Sequence, residues 1–248
     1  MSVVRDRMGT RSDTAVWSAL GTVRDPELDE PITDLGFVSL VRVSEGAATV
    51  ELRLPTYFCA PNFAYLMVAD ARDAVGRVAG IESVTIRLVD HFASEEINAG
   101  VSSDAGFVGA FPEQARAELA DLRRAFQRKA HAACLERACR RLVDQGWQVE
   151  SLDQARLSDL PDVADRASLL RRRADLGLSV EPGSSLVVDE DGERVPAEKV
   201  SAHLRFAKTV RVSIEGNAGL CRGLLRTRYG DGTDPGTRSG VTAGEVTR

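Results

Sequence analysis

The chain has 248 residues, enough for one large domain or two small ones with a buried core. Its hydrophobic fraction of 43% and its charged fraction of 28% are those of a soluble globular protein. The formal net charge of −5 disfavours a general nucleic-acid-binding surface. No apolar run approaches the roughly 18–20 residues of a membrane span. We therefore expect neither nucleic acid nor a membrane among its partners.

The cysteines favour a reducing compartment. The four thiols, Cys59, Cys134, Cys139 and Cys221, lack the spacing of a disulfide-stapled secreted domain. Residues 1–7 contain no apolar segment of the kind that a secretory signal needs. We expect a cytoplasmic protein with free thiols. Cys134 and Cys139, on different faces of a predicted helix, are expected to be packing residues.

The chain opens with an arm and a helix. Residues 1–12 are polar and aperiodic, which indicates a flexible arm. Asp13 or Thr14 can cap a helix whose apolar residues recur at helical spacing. Pro26 is expected to end this helix, since proline disfavours helix in the residue before it and has no amide hydrogen.

Strand patterns follow. A turn at residues 44–47 separates the first two predicted strands, and a helix that opens at Pro61 separates the second strand from the third. The predicted strands are residues 35–43, 48–54 and 82–89. The order helix, β-hairpin, helix, strand predicts an α+β fold, a small two-layer sandwich over residues 13–98.

The rest of the chain is expected to add to this sandwich. Residues 99–111 contain three glycines among small residues, as a linker would. A long helix is predicted over residues 112–146, then a small α/β unit over residues 147–229 and a disordered tail over residues 230–248. The predicted parts of the α/β unit are helices at 163–176 and 196–206, strands at 185–188 and 209–214, and a turn at 189–192.

Cys59 is the most informative of the thiols. It lies between the end of a predicted strand and Pro61, in the first turn of a predicted helix. The field at a helix N-terminus favours the thiolate, which is the form that attacks electrophiles and binds metals. The alternative is a small, buried hydrophobic residue.

Polar residues lie in segments that the predicted sheet would bring to the same edge as Cys59. Asp25 and Glu27 follow the first helix, and Asp34 precedes the first strand. Taken singly, each is a turn or capping residue, but clustered with a thiol they would form a thiol–carboxylate site. His91, after the third strand, is a candidate metal ligand or acid–base partner, or else a loop residue.

Three other features carry no functional prediction. Cys221 lies near two glycines and has no interpretation from sequence. Residues 216–219 resemble a turn, and the run Arg171–Arg173 is typical of the solvated face of a helix.

Three motifs occur in a distinctive order. They are Val23–Leu28 with its Asp-Pro-Glu, Asp34–Val38 with its Asp-Leu-Gly, and Leu54–Cys59 with its Thr-x-x-Cys. Together they resemble the SufT/PaaD-type iron–sulfur cluster assembly domain family, over about residues 13–98. The resemblance implies a small α/β sandwich that acts as an accessory factor, rather than as an enzyme, in the maturation of iron–sulfur or related metalloproteins.

The resemblance also implies a set of site residues. Carried over position by position, these are Asp25, Glu27, Asp34, Thr56 and Cys59. The family's usual Thr-Thr-Pro-Gly-Cys-Pro is changed here, with Pro55 for the first threonine, Tyr57-Phe58 for Pro-Gly, and Ala60 for the last proline. The two aromatic residues are expected to narrow access to Cys59 or to build an aromatic wall beside it.

The first functional hypothesis is therefore a metal-centre assembly factor. Cys59 would hold iron or a cluster fragment transiently, with Asp25 and Glu27 orienting it and no cofactor bound tightly. Because one thiolate cannot complete a four-cysteine cluster shell, a client protein, a second protomer in a homodimer or a small thiol would supply the other ligands. Long members of the family can accompany bacterial multicomponent di-iron monooxygenases, so the resemblance implies a client of that kind.

Two alternatives remain open at this point. One is a thiol enzyme with Cys59 as nucleophile and His91 or a carboxylate as base. The other is a non-catalytic scaffold that binds its client and contacts no metal.

Overall fold

The computed structural model describes residues 11–112 and 119–230. Its helices are α1 (Arg11–Leu20), α2 (Pro61–Gly76), α3 (Ser94–Ser102), α4 (Gly106–Ala110), α5 (Ala120–Asp144), α6 (Ala164–Leu176) and α7 (Ala197–Tyr229). Its strands are β1 (Val38–Ser44), β2 (Ala47–Arg53) and β3 (Ser83–Val89). Two short 3-10 helices, Val149–Gln154 and Leu157–Asp159, connect α5 to α6. None of the described helices is long and apolar enough to cross a membrane.

The three strands form one mixed sheet in the order β1-β2-β3. The β1–β2 pair is an antiparallel hairpin, and β3 lies parallel to β2 after the α2 crossover. Glu45 and Gly46 both have positive φ at the hairpin turn, which matches the right-handed twist of the strands. The predicted order of helix, hairpin, helix and strand is confirmed.

The first hydrophobic core lies between this sheet and α1 and α2. Ala48, Val50 and Leu52 of β2 are buried, whereas the residues between them are partly exposed, as the alternating sequence predicts. Val16 and Leu20 of α1 are fully buried in the same cluster. The sheet and its helices thus make the predicted α+β, two-layer sandwich.

Helix α1 ends earlier than predicted. Its last residue is Leu20, and the Thr22 hydroxyl donates back to the carbonyl of Ala19 at 2.7 Å, so the chain leaves the helix six residues before Pro26. Arg11 and Ser12 already lie in α1, so the predicted arm of residues 1–12 is wrong for these two residues. The remainder of that prediction, residues 1–10, lies outside the described residues.

Residues 99–111 are helical rather than an extended linker. They contain the end of α3 and all of α4. A Cβ added at Gly100 would lie 2.4 Å from the Cβ of Ala110, so the small residues allow two helices to pack closely. Phe111, at the end of α4, is buried in the first core.

A second core forms around α5. Helix α5 ends at Asp144 and is followed by Gly146 at φ 99°, which confirms the predicted stop. Cys134 and Cys139 are buried in this core with Leu142, as predicted for packing residues. Residues 113–118, at the predicted start of the helix, lie outside the described residues.

Helix α7 corrects the expectations for residues 196–229. The helix predicted at 196–206 continues to Tyr229, so the strand at 209–214 and the turn at 216–219 are wrong. Its buried residues are Val200, Ala207, Arg211, Ala218 and Leu225, a spacing of seven and four positions that fits one helix face. Tertiary packing along this face outweighs the weak helix propensity of the interior glycines and β-branched residues.

The remaining strand prediction is only partly realised. Residues 185–188 contribute isolated bridges, Arg156 to Ser185 and Val188 to Arg194, instead of a strand. The turn at residues 189–192 is present and ends at Gly192, whose φ is 86°.

Candidate functional site

The Asp-Pro-Glu motif forms a tight loop whose centre is Asp25. The Asp25 carboxylate accepts hydrogen bonds from the backbone N–H groups of Glu27 (2.9 Å) and Leu28 (2.8 Å). The Asp25 N–H donates to the carbonyl of Glu30, which closes the loop. Burial raises the pKa of Asp25 to about 6, and the two backbone donors only partly oppose this.

Cys59 is held against the same core, between β2 and the first turn of α2. Burial, followed by the influence of Asp25 and Cys221, raises the pKa of its thiol to about 12. The N–H of Ala60 acts in the opposite direction but is a smaller influence. The thiolate expected from the helix N-terminal field is therefore wrong for this conformation, in which Cys59 is a protonated thiol.

His91 supports the Cys59 segment instead of its sulfur. Its Nε2 lies 2.7 Å from the carbonyl oxygen of Cys59, and its Nδ1 accepts from the N–H of Ala93 at 3.2 Å. The ring is therefore neutral with its proton on Nε2, and burial lowers its pKa. With both nitrogens engaged, His91 has no lone pair directed at a metal or at the thiol in this conformation.

The expected aromatic wall lies beside Cys59 and gains a third ring. Tyr57 and Phe58 contact each other edge to face at 5.1 Å, and Phe58 lies 6.0 Å from Phe92. All three rings are exposed, Phe58 to 78%. Phe92 was not predicted, because the N–H of Phe92 joins it to the carbonyl of Tyr57 across 35 positions of the chain.

Helix α7 brings a second thiol to the site. The Asp25 and Glu27 carboxylates both raise the pKa of Cys221, after burial, and Cys221 in turn acts on Cys59. Both thiols are partly buried against the first core. Sequence reasoning missed Cys221. The available signal was the helical spacing of the apolar residues from Val200 to Leu225, which places α7 against the sandwich.

Side chains of α6 and α7 bind the acidic side chains of the Asp25 loop. Asn217 of α7 donates to Glu27 at 3.3 Å, and Arg222 of α7 forms an ion pair with Glu30. Arg172 of α6 forms an ion pair with Asp29. Three acidic residues of the loop thus have partners more than 140 positions away.

The arginine run in α6 is only partly solvated. Arg171 is exposed, but Arg172 is engaged with Asp29 and Asp175. Arg173 is 1% exposed and donates to the carbonyl of Ser185 at 2.9 Å. The prediction of a solvated face is therefore wrong for two of its three residues.

Two of the predicted site residues remain apart from these contacts. Asp34 is exposed and accepts from the hydroxyl of Thr33 at 3.3 Å. Thr56 is half-buried in the bend that follows β2. Within residues 11–112 and 119–230, no group of three or more His, Cys, Asp or Glu side chains is arranged to hold a metal ion.

Comparison with known proteins adds one finding. Residues 13–88 match the model of a family described as iron-sulfur cluster assembly protein. No curated protein matches the chain. The match includes Asp25 and Cys59, confirms the resemblance carried by the three motifs, and supports a role in iron–sulfur cluster assembly. Residues 13–88, less than half of the chain, are thus similar to the iron–sulfur cluster assembly protein family.

Proposed function

We propose that this protein is a cytoplasmic accessory factor that holds iron or a cluster fragment on Cys59 during the maturation of an iron-containing client. The family match of residues 13–88 supports the general role. The observation that carries the specific role is that Cys59 packs against the core that contains Val23 and Leu28, the residues at either end of the Asp-Pro-Glu motif. The Asp25 and Glu27 carboxylates of this motif raise the pKa of the Cys59 thiol. Carboxylates beside a thiol attract a cation, and the thiol loses its proton to a base when the cation binds to its sulfur.

The chemistry requires a proton to leave Cys59. In the resting conformation the thiol is protonated, since its pKa is about 12. When a ferrous ion binds to the sulfur, the S–H proton passes to a base and a sulfur–iron bond forms, with no change in oxidation state. Asp25, whose pKa is about 6, is ionised at neutral pH. On this proposal its carboxylate is the base that accepts the thiol proton.

On this proposal, Cys59 binds the iron only transiently. A single thiolate leaves most of an iron coordination shell open, and no third ligand side chain stands ready among the described residues. The remaining ligands then come from the client, an assembly protein or a second copy of the chain. Transfer follows as these ligands displace Cys59.

The identity of the client is the most specific part of the proposal. We propose an iron enzyme, with a multicomponent di-iron monooxygenase as the specific candidate. This part is supported only by the resemblance to long family members, which can accompany such enzymes.

A scaffold that binds its client without metal is the second candidate. The exposed wall of Tyr57, Phe58 and Phe92 favours it, because exposed apolar patches commonly mark protein interfaces. The thiol enzyme with His91 as its base has less support, since both nitrogens of His91 are engaged with backbone groups.

Anaerobic incubation with ferrous iron and sulfide tests the proposal. Iron retained after desalting is measured by metal analysis in the wild type, in Cys59→Ala and in the matched control Cys139→Ala, whose thiol lies in the second core. We expect retention in the wild type and the control and its loss in Cys59→Ala. Equal iron in all three proteins, or none in the wild type, would move the conclusion to the scaffold.

A further inference from the structure

A cavity of about 260 Å³ lies between α5, α6 and α7, in the part of the chain that follows the family match. The apolar part of its wall comes from Ala132 of α5, Leu176 of α6, Val188 of the segment after α6, and Phe206 and Val210 of α7. An apolar cavity of roughly 150 Å³ is large enough to hold benzene. By proportion, this one has room for a molecule of about ten non-hydrogen atoms.

His131 brings an unsatisfied polar group to the wall of this cavity. The residue lines the cavity from α5 and is 5% exposed. Its Nε2 is buried and has no hydrogen-bond partner within residues 11–112 and 119–230. A buried polar atom without a partner is costly, and in native proteins such an atom commonly marks the place of a water, an ion or a ligand. His203, which is half-buried, lines the cavity from α7 as a second imidazole.

The charged groups that line the cavity are already matched. Arg128 Nη1 lies 3.1 Å from Glu190 Oε2. The Asp189 carboxylate accepts from two backbone N–H groups of its own turn, at 3.0 and 2.9 Å. The exposed Lys129 places its ammonium 4.6 Å from the centre of the Phe126 ring. These groups therefore leave no buried, unpaired charge for an ionic ligand to neutralise.

The protonation of His131 narrows the chemical class of the ligand. Burial lowers the pKa of His131 to about 4, so its ring is neutral at neutral pH. One nitrogen of a neutral imidazole donates and the other accepts. A hydroxyl group does both, so it can bond to either nitrogen, whereas a carboxylate only accepts and would bring a charge into an apolar cavity. A hydroxyl on an apolar body therefore suits this wall.

We propose that the cavity binds a small uncharged molecule, an apolar body of about ten non-hydrogen atoms whose single hydroxyl group hydrogen-bonds to the imidazole of His131. The apolar walls bury the body of the ligand, and the hydroxyl gives the imidazole the partner that it lacks. The site lies outside the family segment. Its ligand therefore binds independently of iron at Cys59.

Three probes of similar shape test the chemical class. They are β-naphthol, β-methylnaphthalene and β-naphthoate, which carry a hydroxyl, a methyl and a carboxylate group on the same ring system. Equilibrium dialysis against the full-length protein measures the dissociation constant of each. We expect β-naphthol to bind about tenfold more tightly than β-methylnaphthalene, because its hydroxyl bonds to His131, and β-naphthoate to bind most weakly.

His131→Leu keeps an apolar side chain of similar size and removes the imidazole. We expect this variant to bind β-methylnaphthalene more tightly than β-naphthol, because the hydroxyl then loses its bonds to water without replacement. Phe206→Ser removes part of the apolar wall and should weaken the binding of β-naphthol about fivefold. Leu220→Ser is the matched control, since Leu220 is 62% exposed on the same helix and Phe206 is 65% exposed. It should bind like the wild type.

Circular dichroism establishes that each variant is folded. If His131→Leu is not, the order of the three probes in the wild type and the comparison of Phe206→Ser with Leu220→Ser still decide. The proposal is overturned if the wild type binds none of the probes at millimolar concentration, or binds β-naphthoate most tightly. It is also overturned if a folded His131→Leu keeps the wild-type order, or if Phe206→Ser and Leu220→Ser bind β-naphthol equally.

Discussion

The side-chain amide of Asn217 donates a hydrogen bond of 3.3 Å to the carboxylate of Glu27, 190 positions earlier in the chain. Glu27 belongs to the Asp-Pro-Glu motif of the family segment, and Asn217 to a helix outside it. The bond lies one helical turn from Cys221. It therefore marks a point at which α7 meets the segment that matches the family model.

The contact between Gly36 and Leu225 predicts a large effect of a small substitution. Gly36 has φ 79°, and an added Cβ would lie 3.1 Å from Leu225 Cδ2. We expect Gly36→Ala to lower the free energy of unfolding by more than the roughly 1–2 kcal/mol of a left-handed backbone alone, because the side chain of Leu225 must also shift. Urea denaturation measures the loss.

Gly80→Ala is the matched control for this substitution. Gly80 has φ 84°, and a Cβ there would have no heavy atom within 4 Å, so only the backbone contribution remains. The Leu225→Ala background should narrow the difference between the two glycine variants. Equal losses at Gly36 and Gly80 in the wild-type background would contradict the close packing of α7 on the motif.

A buried ion pair joins α5 to α7. Arg211 Nε lies 2.6 Å from Glu136 Oε2, and both side chains are about one-tenth exposed. Arg211→Met leaves Glu136 with only the more exposed Arg140, so we expect a loss of about 3 kcal/mol in urea denaturation. Arg205→Met, at an exposed position of α7, should change stability by less than about 0.5 kcal/mol.

The double variant separates the ion pair from simple packing. Glu136→Leu combined with Arg211→Met removes both charges, so no uncompensated buried carboxylate remains. It should be more stable than Arg211→Met alone. If the double variant loses as much free energy of unfolding as Glu136→Leu and Arg211→Met lose together, the two side chains are not energetically coupled.

The raised pKa of Asp25 predicts that the protein becomes less stable as the pH rises. Burial raises its pKa from 3.8 to about 6, so the folded protein holds this proton more tightly than the unfolded chain. The resulting stabilisation is complete below about pH 4 and is lost as the pH rises through 6, an effect of about 3 kcal/mol. Asp25→Asn stays neutral, and its unfolding free energy relative to wild type should therefore rise over this range.

Urea denaturation of both proteins at half-unit steps from pH 4 to 7 measures that difference. Other titrating groups contribute equally to the two proteins and cancel. A difference that does not vary with pH would show that Asp25 is not a buried acid.

The sequence predicted the elements whose signals are local. The hairpin turn at Glu45-Gly46, the start of α2 at Pro61 and the stop after α5 at Gly146 each depend on a few neighbouring residues. The clustering of Asp25, Glu27 and Cys59 followed from two loops at one edge of the sheet. These predictions needed no information from distant parts of the chain.

What the sequence did not predict depends on tertiary packing. Helix α7 was divided into a helix, a strand and a turn, because its glycines and β-branched residues have weak helix propensity. Without α7, nothing in the sequence indicated that Cys221 influences Asp25 and its neighbours or that Cys59 is partly buried. The prediction of a thiolate at Cys59 was wrong for the same reason, since the effect of burial on its pKa outweighs that of the field at the N-terminus of α2.

The hydrogen bonds of Arg228, at the end of α7, are expected to limit the chemical reactivity of Cys59. Arg228 donates to the carbonyls of Leu54, at 3.2 Å, and Asp90, at 2.7 Å, and so ties α7 to the segments that follow β2 and β3. Loss of two such bonds costs about 2 kcal/mol, which would raise the population of conformations with α7 detached at least tenfold. Because the Cys59 thiol is protonated and partly buried while α7 is in place, we expect Arg228→Met to accelerate its alkylation by iodoacetamide about tenfold.

Peptide mass spectrometry at timed intervals follows Cys59 separately from the other thiols. Arg226→Met is the matched control, because Arg226 is two positions away on the same helix and its side chain is exposed. Cys139, which lies in the second core, should react at the same slow rate in all three proteins. Equal rates at Cys59 in the two arginine variants would mean that the end of α7 does not control access to the site, and that the thiol is reached by another route.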